Sequence, residues 1–400
     1  MDRRGFTLLE LLIVIAILAV LATVAVLVIN PLEYIKQSRD TKRIADLDAL
    51  SKAIQLYDFN STASSTATFA STIVYLSLPD NTSTTCGSYT LPALPVGYRY
   101  NCVPQANLQK TDGTGWVPLN LSSIPGGSPV ASLPVDPTND ATSRDYYSFV
   151  PGGSFELASA MESTRYRTGG DKDATSKDGG PLLGLYETGT NLSLMPIDYG
   201  DPSLVGYWSL DEGSGSIARD KSGNNVTGTI TGTPSWVAGK IGGALSFDGS
   251  TNSITIANPI TQTNNAQEWS VTTWAKLQTK STQTLMNLNN GIHLVYSTTN
   301  KLLLYLNDGT NDYYDYGNYN LQDNAWHHIA FVFKNSTGVR EIYIDGVDVS
   351  TTGPNMTSTP TGIPPTITIG SGVLGLLDDI RIYNRQLSAQ EVRGMYNAGK

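Results

Sequence analysis

Residues 6 to 29 form an apolar run that opens this 400-residue chain, and a single charge, Glu10, lies inside it. As a helix, these residues are long enough to cross a hydrocarbon core of about 30 Å at about 1.5 Å per residue. Arg3 and Arg4, just ahead of the run, place its start on the cytoplasmic side. A secretory signal peptide has a shorter apolar core with a small-residue cleavage site behind it, so that reading fails on length and flank. A carboxylate this deep in a membrane span costs about 2.5–3.5 kcal/mol on insertion scales, and its presence asks for a function. An ordinary anchor explains the apolar residues but neither Gly5 before Phe6 nor Glu10 within the apolar run.

The string Gly5-Phe6-Thr7-Leu8-Leu9-Glu10, behind the leader Met1-Asp2-Arg3-Arg4, resembles the N-terminus of the type IV pilin family, which includes filament pilins and the pseudopilins of type II secretion. The resemblance implies cleavage after Gly5 and methylation of the new N-terminus, Phe6. It also implies that Glu10 meets a neighbouring subunit's N-terminal amine during assembly. The partners that follow are other pilin subunits, the prepilin peptidase, the pilus assembly machinery and the membrane. The expected location is the cytoplasmic membrane as a single-pass precursor, then an extracellular surface filament.

Composition supports a place outside the cytoplasm. Only 15% of the residues are charged and the net charge is −9. Removing the leader, with two Arg and one Asp, leaves −10. Nucleic acid is excluded as a partner, because phosphate binding needs clustered Lys and Arg. The only cysteines are Cys86 and Cys102. Free thiols suit an oxidising compartment poorly, so a disulfide is expected, and closing such a loop adds about 3 kcal/mol in the chain-entropy model.

The chain reads as multidomain α+β. Beyond Pro31, the residues Ile44, Leu47, Leu50, Ile54 and Tyr57 recur at three- and four-residue spacing, which predicts an amphipathic helix. With the apolar run it makes one helix over residues 6–57, kinked at Pro31 and about 78 Å long. Residues 58–199 hold short apolar strings and two strands, 145–149 and 154–158, around the turn Pro151-Gly152-Gly153. The order Leu133-Pro134-Val135-Asp136-Pro137, Tyr-rich strand, turn and second strand is similar to the heads of major pseudopilins, which implies a small antiparallel sheet. The loop holding Asp171, Asp173 and Asp178 lies where secretion pseudopilins carry calcium; it lacks EF-hand spacing and a closing glutamate, so a solvated polar loop is expected. Residues 200–205, with Pro202, read as a linker.

From residue 206 onward, period-two alternation dominates, as in Leu245/Phe247, Ile254/Ile256, Ile329/Phe331/Phe333 and Ile380/Ile382. Asp308-Gly309 and Asp345-Gly346 punctuate it as turns, and five of the six tryptophans lie here. Such half-buried strands predict an antiparallel sandwich. The strings Gly206-Tyr207-Trp208-Ser209-Leu210-Asp211-Glu212-Gly213, Ala244-Leu245-Ser246-Phe247-Asp248-Gly249, Trp326-His327-His328-Ile329-Ala330-Phe331 and Leu377-Asp378-Asp379-Ile380-Arg381-Ile382-Tyr383 resemble the laminin-G-like, or concanavalin A-like, jelly-roll family. The resemblance implies an all-β jelly-roll over residues 206–400, and because the alternating strands and tryptophans supply a core of their own, residues 201–400 are expected to fold alone. It leaves the ligand open among glycans, proteins, calcium or none.

No catalytic residues are expected. His327 and His328 sit in an alternating strand where one ring faces inward, and only His293 stands elsewhere, too few for a zinc site or a triad. Asp248 and Asp379 lie in motifs that hold a structural calcium in some relatives, although two carboxylates are too few without backbone carbonyls. The stretch carrying Tyr314, Tyr316 and Asn318 is the best glycan candidate, with aromatic faces beside a carboxamide. The functional expectation is a minor or tip subunit of a type IV pilus-like filament that presents the jelly-roll for adhesion. The alternatives are a secretion pseudopilin that contacts cargo and a membrane-anchored glycan hydrolase.

Overall fold

The computed structural model describes residues 7–60, 66, 69–257, 268–289, 292–297, 301–307, 311–315, 319–334, 339–350 and 366–400. Two helices come first, α1 (Leu8–Ile29) and α2 (Pro31–Asn60). The expected single kinked helix is instead broken at Asn30, which takes φ 44°. Asn tolerates the left-handed region, and Pro31 is well placed as a first helical residue because its missing N–H would have no partner there. Among the described residues no helix is long and apolar enough to cross a membrane; the side chains of residues 24–29 and all of residues 1–6 lie outside them.

The head contains β1 (Ile73–Pro79), β2 (Arg99–Val103), β3 (Tyr147–Pro151), β4 (Phe155–Ala160) and β5 (Leu185–Gly189), in the sheet order β2-β1-β3-β4-β5. The expected small antiparallel sheet is present in β1, β3, β4 and β5, and at its edge β2 is added parallel to β1. A parallel neighbour needs a long crossover, and residues 80–98 supply it. Within that crossover and β2, Cys86 and Cys102 form the expected disulfide, with Cα atoms 5.2 Å apart.

Alternation along the head strands sends side chains into two different cores. Tyr75, Phe149, Phe155 and Leu157 meet Leu47, Leu50 and Ile54 of α2, with Trp116 and Leu133. Val74, Leu76, Leu78, Val150, Ala158 and Ala160 face the other way. Consequently β3 and β4 are buried at every position.

The second half opens with β6 (Leu204–Trp208), β7 (Ile217–Ala218), β8 (Gly228–Thr231), β9 (Ser235–Ala238), β10 (Gly243–Asp248) and β11 (Ser253–Ala257). Next come β12 (Glu268–Leu277), β13 (Gln283–Asn289), β14 (Ile292–Ser297), β15 (Lys301–Asn307) and β16 (Asn311–Asp315). Then follow β17 (His327–Lys334), β18 (Val339–Ile344), β19 (Val347–Asp348), β20 (Thr366–Ile369), β21 (Leu374–Tyr383) and the closing helix α3 (Ala389–Ala398). A front sheet has the order β19-β18-β17-β12-β21-β10-β9, with β6 also on β21, and a back sheet has the order β16-β15-β14-β13-β20-β11-β8-β7. Both are antiparallel, and Trp208, Phe247, Trp269, Phe331 and Ile380 of the front pack on Ile254, Met286, Leu294 and Ile367 of the back. This is the antiparallel sandwich that the period-two pattern predicts, in the jelly-roll form that the resemblance implies.

The two halves are not separated by a free linker. Leu204 already lies in β6, paired to Tyr383 of β21, and Asp201 is ion-paired with Arg385 at 2.7 Å. The outward residues of the front sheet, Tyr207, Ala330, Val332, Tyr343 and Tyr383, join Val74, Leu76 and Ala158 of the head in one continuous apolar cluster. Leu387, Val392 and Met395 around α3 complete it. Backbone bonds cross the same joint, from Ala93 N to Gly223 O at 2.8 Å and from Asp198 N to Lys221 O at 2.6 Å. The molecule is layered as α2, head sheet, front sheet and back sheet.

Candidate assembly and ligand sites

At the N-terminal end, Thr7 and Glu10 cap α1 reciprocally. The Glu10 amide donates to Thr7 Oγ1 at 3.2 Å, and Glu10 Oε2 accepts from the Thr7 amide at 2.9 Å. This is the capping-box arrangement, which satisfies helix-end amides without a partner chain. Glu10 is exposed and stands three residues from where cleavage is expected to leave Thr7 second in the chain. Gly5 and Phe6 themselves lie outside the described residues.

The structure does not bring Asp248 and Asp379 together. Asp248 pairs with Leu374 across β10 and β21, and Asp379 is five residues farther along β21, about 17 Å at about 3.4 Å per residue. Each carboxylate is also occupied. Asp248 is exposed and accepts from the amides of Ser250, Thr251 and Asn252 at 2.8 to 3.0 Å. The Thr251 hydroxyl and these amides hold its carboxyl well below the usual range. Asp379 is buried, accepts from the Tyr207 hydroxyl at 2.8 Å and pairs with Arg381 at 3.0 Å. These residues do not fit a shared calcium ion, and the local pairing of each acid is the reason. In the polar loop, Asp173 accepts from Gly169 N and Ser176 N, while Asp171 lies 3.5 Å from Arg165. Among the described residues no group of three or more His, Cys, Asp or Glu is arranged to hold a metal ion.

Tyr314 lies in β16, the edge strand of the back sheet, opposite Leu304. Tyr316 and Asn318 lie outside the described residues.

The histidines of β17 have separate structural duties. His328 is buried beside Trp274, ring centres 5.2 Å apart, and burial lowers its pKa to about 3. His327 points the other way, with Nδ1 2.8 Å from Asp345 and Nε2 3.2 Å from Asp323, and its bond to Asp345 raises its pKa. Asp345 takes φ 53° before Gly346 at φ 73°, the turn geometry expected of Asp-Gly. Glu341 accepts from the Tyr343 hydroxyl at 2.6 Å.

Three polar groupings escaped sequence reasoning because their members are far apart in the chain. Arg43, wholly buried, meets Asp40, Asp136, Asp145 and Glu162. Arg381 lies 4.0 Å from the Tyr207 ring and donates to Pro181 O in the head at 3.1 Å. Glu156 and Glu187 are buried side by side in the head. The only sequence signal for the first is Arg43, which falls on the apolar stripe of α2 where a hydrophobe is expected; Ile44 is only half-buried. A cleft of about 570 Å³ opens at the joint, between Gly179, Gly180 and Pro181 of the head and Asp211, Lys221 and Gly242 of the sandwich.

Residues 1–26 match the prokaryotic N-terminal methylation motif, and residues 248–393 match the concanavalin A-like lectin/glucanases superfamily. No curated protein matches the chain. Among solved structures it is similar to domain 4 of AbnA, an extracellular arabinanase from Geobacillus stearothermophilus solved with arabinotriose, at 24% identity and TM-score 0.39, covering 48% of this chain and 98% of that one. It is also similar to the binding domain of Paraclostridial Mosquitocidal Protein 1, at 17% identity and TM-score 0.43, covering 49% of this chain. The receptor binding domain of botulinum neurotoxin C/D mosaic serotype follows at 17% identity and TM-score 0.40, again covering 49% of this chain. The chain spans about half the length of these two toxin domains, 52% and 51%. This chain carries a type IV pilin-like N-terminal methylation motif, and its second half is a concanavalin A-like jelly-roll.

Proposed function

We propose that the protein is a subunit of a type IV pilus-like surface filament that carries its jelly-roll outward to contact a glycan or a cell surface. The observation that carries this reading is the joining of the methylation motif at one end to a lectin-like sandwich at the other. Exposed Leu32, Tyr34 and Ile35 on α2 suit burial against neighbouring subunits. The bulk of the sandwich favours a minor or tip position, since it would crowd every site of a tightly packed fibre. The apolar run over residues 6–29 serves as the membrane span before assembly. Hydrolysis is not part of the proposal. Glu341 accepts from the Tyr343 hydroxyl, and Asp345 is the turn residue before Gly346, held by His327 and the His328 amide, so neither is placed as one of a facing carboxyl pair.

Processing is tested by mass spectrometry of the filament protein, which should begin at Phe6 and carry one added methyl group. A retained Met1 would end the pilin reading.

Immunogold with antibody to the sandwich tests the filament itself and should label surface filaments. Glu10→Ala should remove at least most of this labelling while the protein stays in the membrane fraction, because losing the charge eases insertion. Glu10→Gln separates the roles, since its amide oxygen still caps Thr7 but carries no charge for a subunit amine. Full labelling in Glu10→Gln would leave Glu10 as a helix cap without an assembly role.

A further inference from the structure

Glu156 of β4 and Glu187 of β5 are 0% and 1% exposed. Glu156 pairs with Gly189 and Ala158 with Glu187, so the two side chains are diagonal neighbours on one face of the head sheet. One oxygen of each is satisfied. Glu156 Oε2 accepts from the amides of Leu194 at 2.7 Å and Met195 at 2.8 Å, and Glu187 Oε2 accepts from the Leu182 amide at 2.9 Å. The other oxygens, Glu156 Oε1 and Glu187 Oε1, are buried without a partner, and the strand register sets the two carboxyls beside each other on that face.

Among the described residues no counter-charge contacts the pair directly. From the loop between the strands comes Asp178, whose Oδ2 accepts from the Glu187 amide at 2.7 Å. From the sandwich comes Lys221, which acts on Glu156 through space only and is paired with Asp211 at 3.1 Å. Two adjacent carboxylates cannot both stay ionised in such a site, whereas one shared proton satisfies both orphaned oxygens.

We propose that Glu156 and Glu187 hold one proton between their unpartnered oxygens, and that this proton makes the seat of the sandwich on the head sensitive to pH. The protonated carboxyl donates its O–H to the ionised one. Base removes that proton; Gly180, which lines the cleft, packs directly on the pair, since a Cβ there would fall 2.0 Å from Glu187 Oε2. The pair then carries two like charges. The amides it holds belong to Leu182, Leu194 and Met195, side chains packed within or against the apolar cluster of the joint. Repulsion at the pair therefore loosens the layer between head and sandwich.

The sign follows from burial, which raises both carboxyls, Glu187 further through the Glu156 charge. The folded state keeps a proton that the unfolded chain releases near the ordinary 4.5. Stability is complete below that value and is lost as pH rises toward the folded pair's own titration.

Hydrogen exchange on the full chain in detergent micelles tests this at the amides of Leu182, Leu194 and Met195. Their exchange should accelerate by up to about tenfold per pH unit beyond intrinsic base catalysis as the pair ionises. In Glu187→Gln, whose amide donates permanently to Glu156, the extra slope should vanish. An infrared difference between wild type and the Glu156→Gln/Glu187→Gln double variant at neutral pH should show a protonated carboxyl. Wild-type amides that follow intrinsic catalysis alone would overturn the proposal even if the variants fail to fold, and so would the absence of that carboxyl band in variants that fold.

Discussion

Arg43→Ala is expected to destabilise the head by about 3–5 kcal/mol, the range for removing one partner of a buried ion network. Nε and Nη2 of Arg43 fork onto Asp136 at 2.6 and 2.9 Å, Nη1 reaches Asp40 at 2.7 Å, and Nη2 lies 2.6 Å from Glu162 and 3.5 Å from Asp145. Asp40 in turn accepts from the amides of Glu162 and Ser163, so the cluster ties α2 to the strand ends of the head. Without Arg43, four acids remain, and of these Arg39 bonds only Glu162, at 2.7 Å from Nε. Burial already pushes Asp145 up to about 6 with Arg43 in place, and losing that cation pushes it further up, so the variant should recover part of its loss as pH falls and protons replace the missing charge. Arg43→Lys should fall between, because an ammonium cannot reproduce the fork. Urea denaturation at two pH values measures this, and a loss under about 1 kcal/mol would mean that the network is not the anchor of α2.

Arg381→Ala is the second large effect, again about 3–5 kcal/mol because Asp379 stays buried beside Tyr207 without its cation. It also removes the bond to Pro181 O across the joint. Calorimetry on wild type should show the head and sandwich melting together, as one shared apolar cluster demands. In the variant the heat absorption should split or broaden toward two transitions. A single transition at the wild-type temperature would show that the joint contributes little cooperativity. The joint also bears on the expectation that residues 201–400 fold alone: excised, they would expose Tyr207, Ala330, Val332, Tyr343 and Tyr383.

Local features were legible in the sequence because their physics is local. The methylation motif is a contiguous string, the α2 stripe is a three-to-four spacing, and Ile329, Phe331 and Phe333 alternate toward one core because strand side chains alternate. Asp345-Gly346 declared its own turn. The disulfide followed from there being two cysteines and from the expectation of an oxidising compartment.

Tertiary structure alone decided which face of a strand that looked half-polar is buried. Ala330, Val332 and Tyr343 alternate with core residues just as solvent-facing positions do, and only the packed head makes them interior. Motif resemblance suggested a calcium pair in Asp248 and Asp379, but register along β21 sets them about 17 Å apart. Arg43 finds acids 93 and 102 residues away, Arg381 finds Pro181 from 200 residues away, and Glu156 finds Glu187 only because β4 and β5 pair in one register. Buried charges need partners wherever the fold brings them, and no spacing rule along the chain encodes where that is.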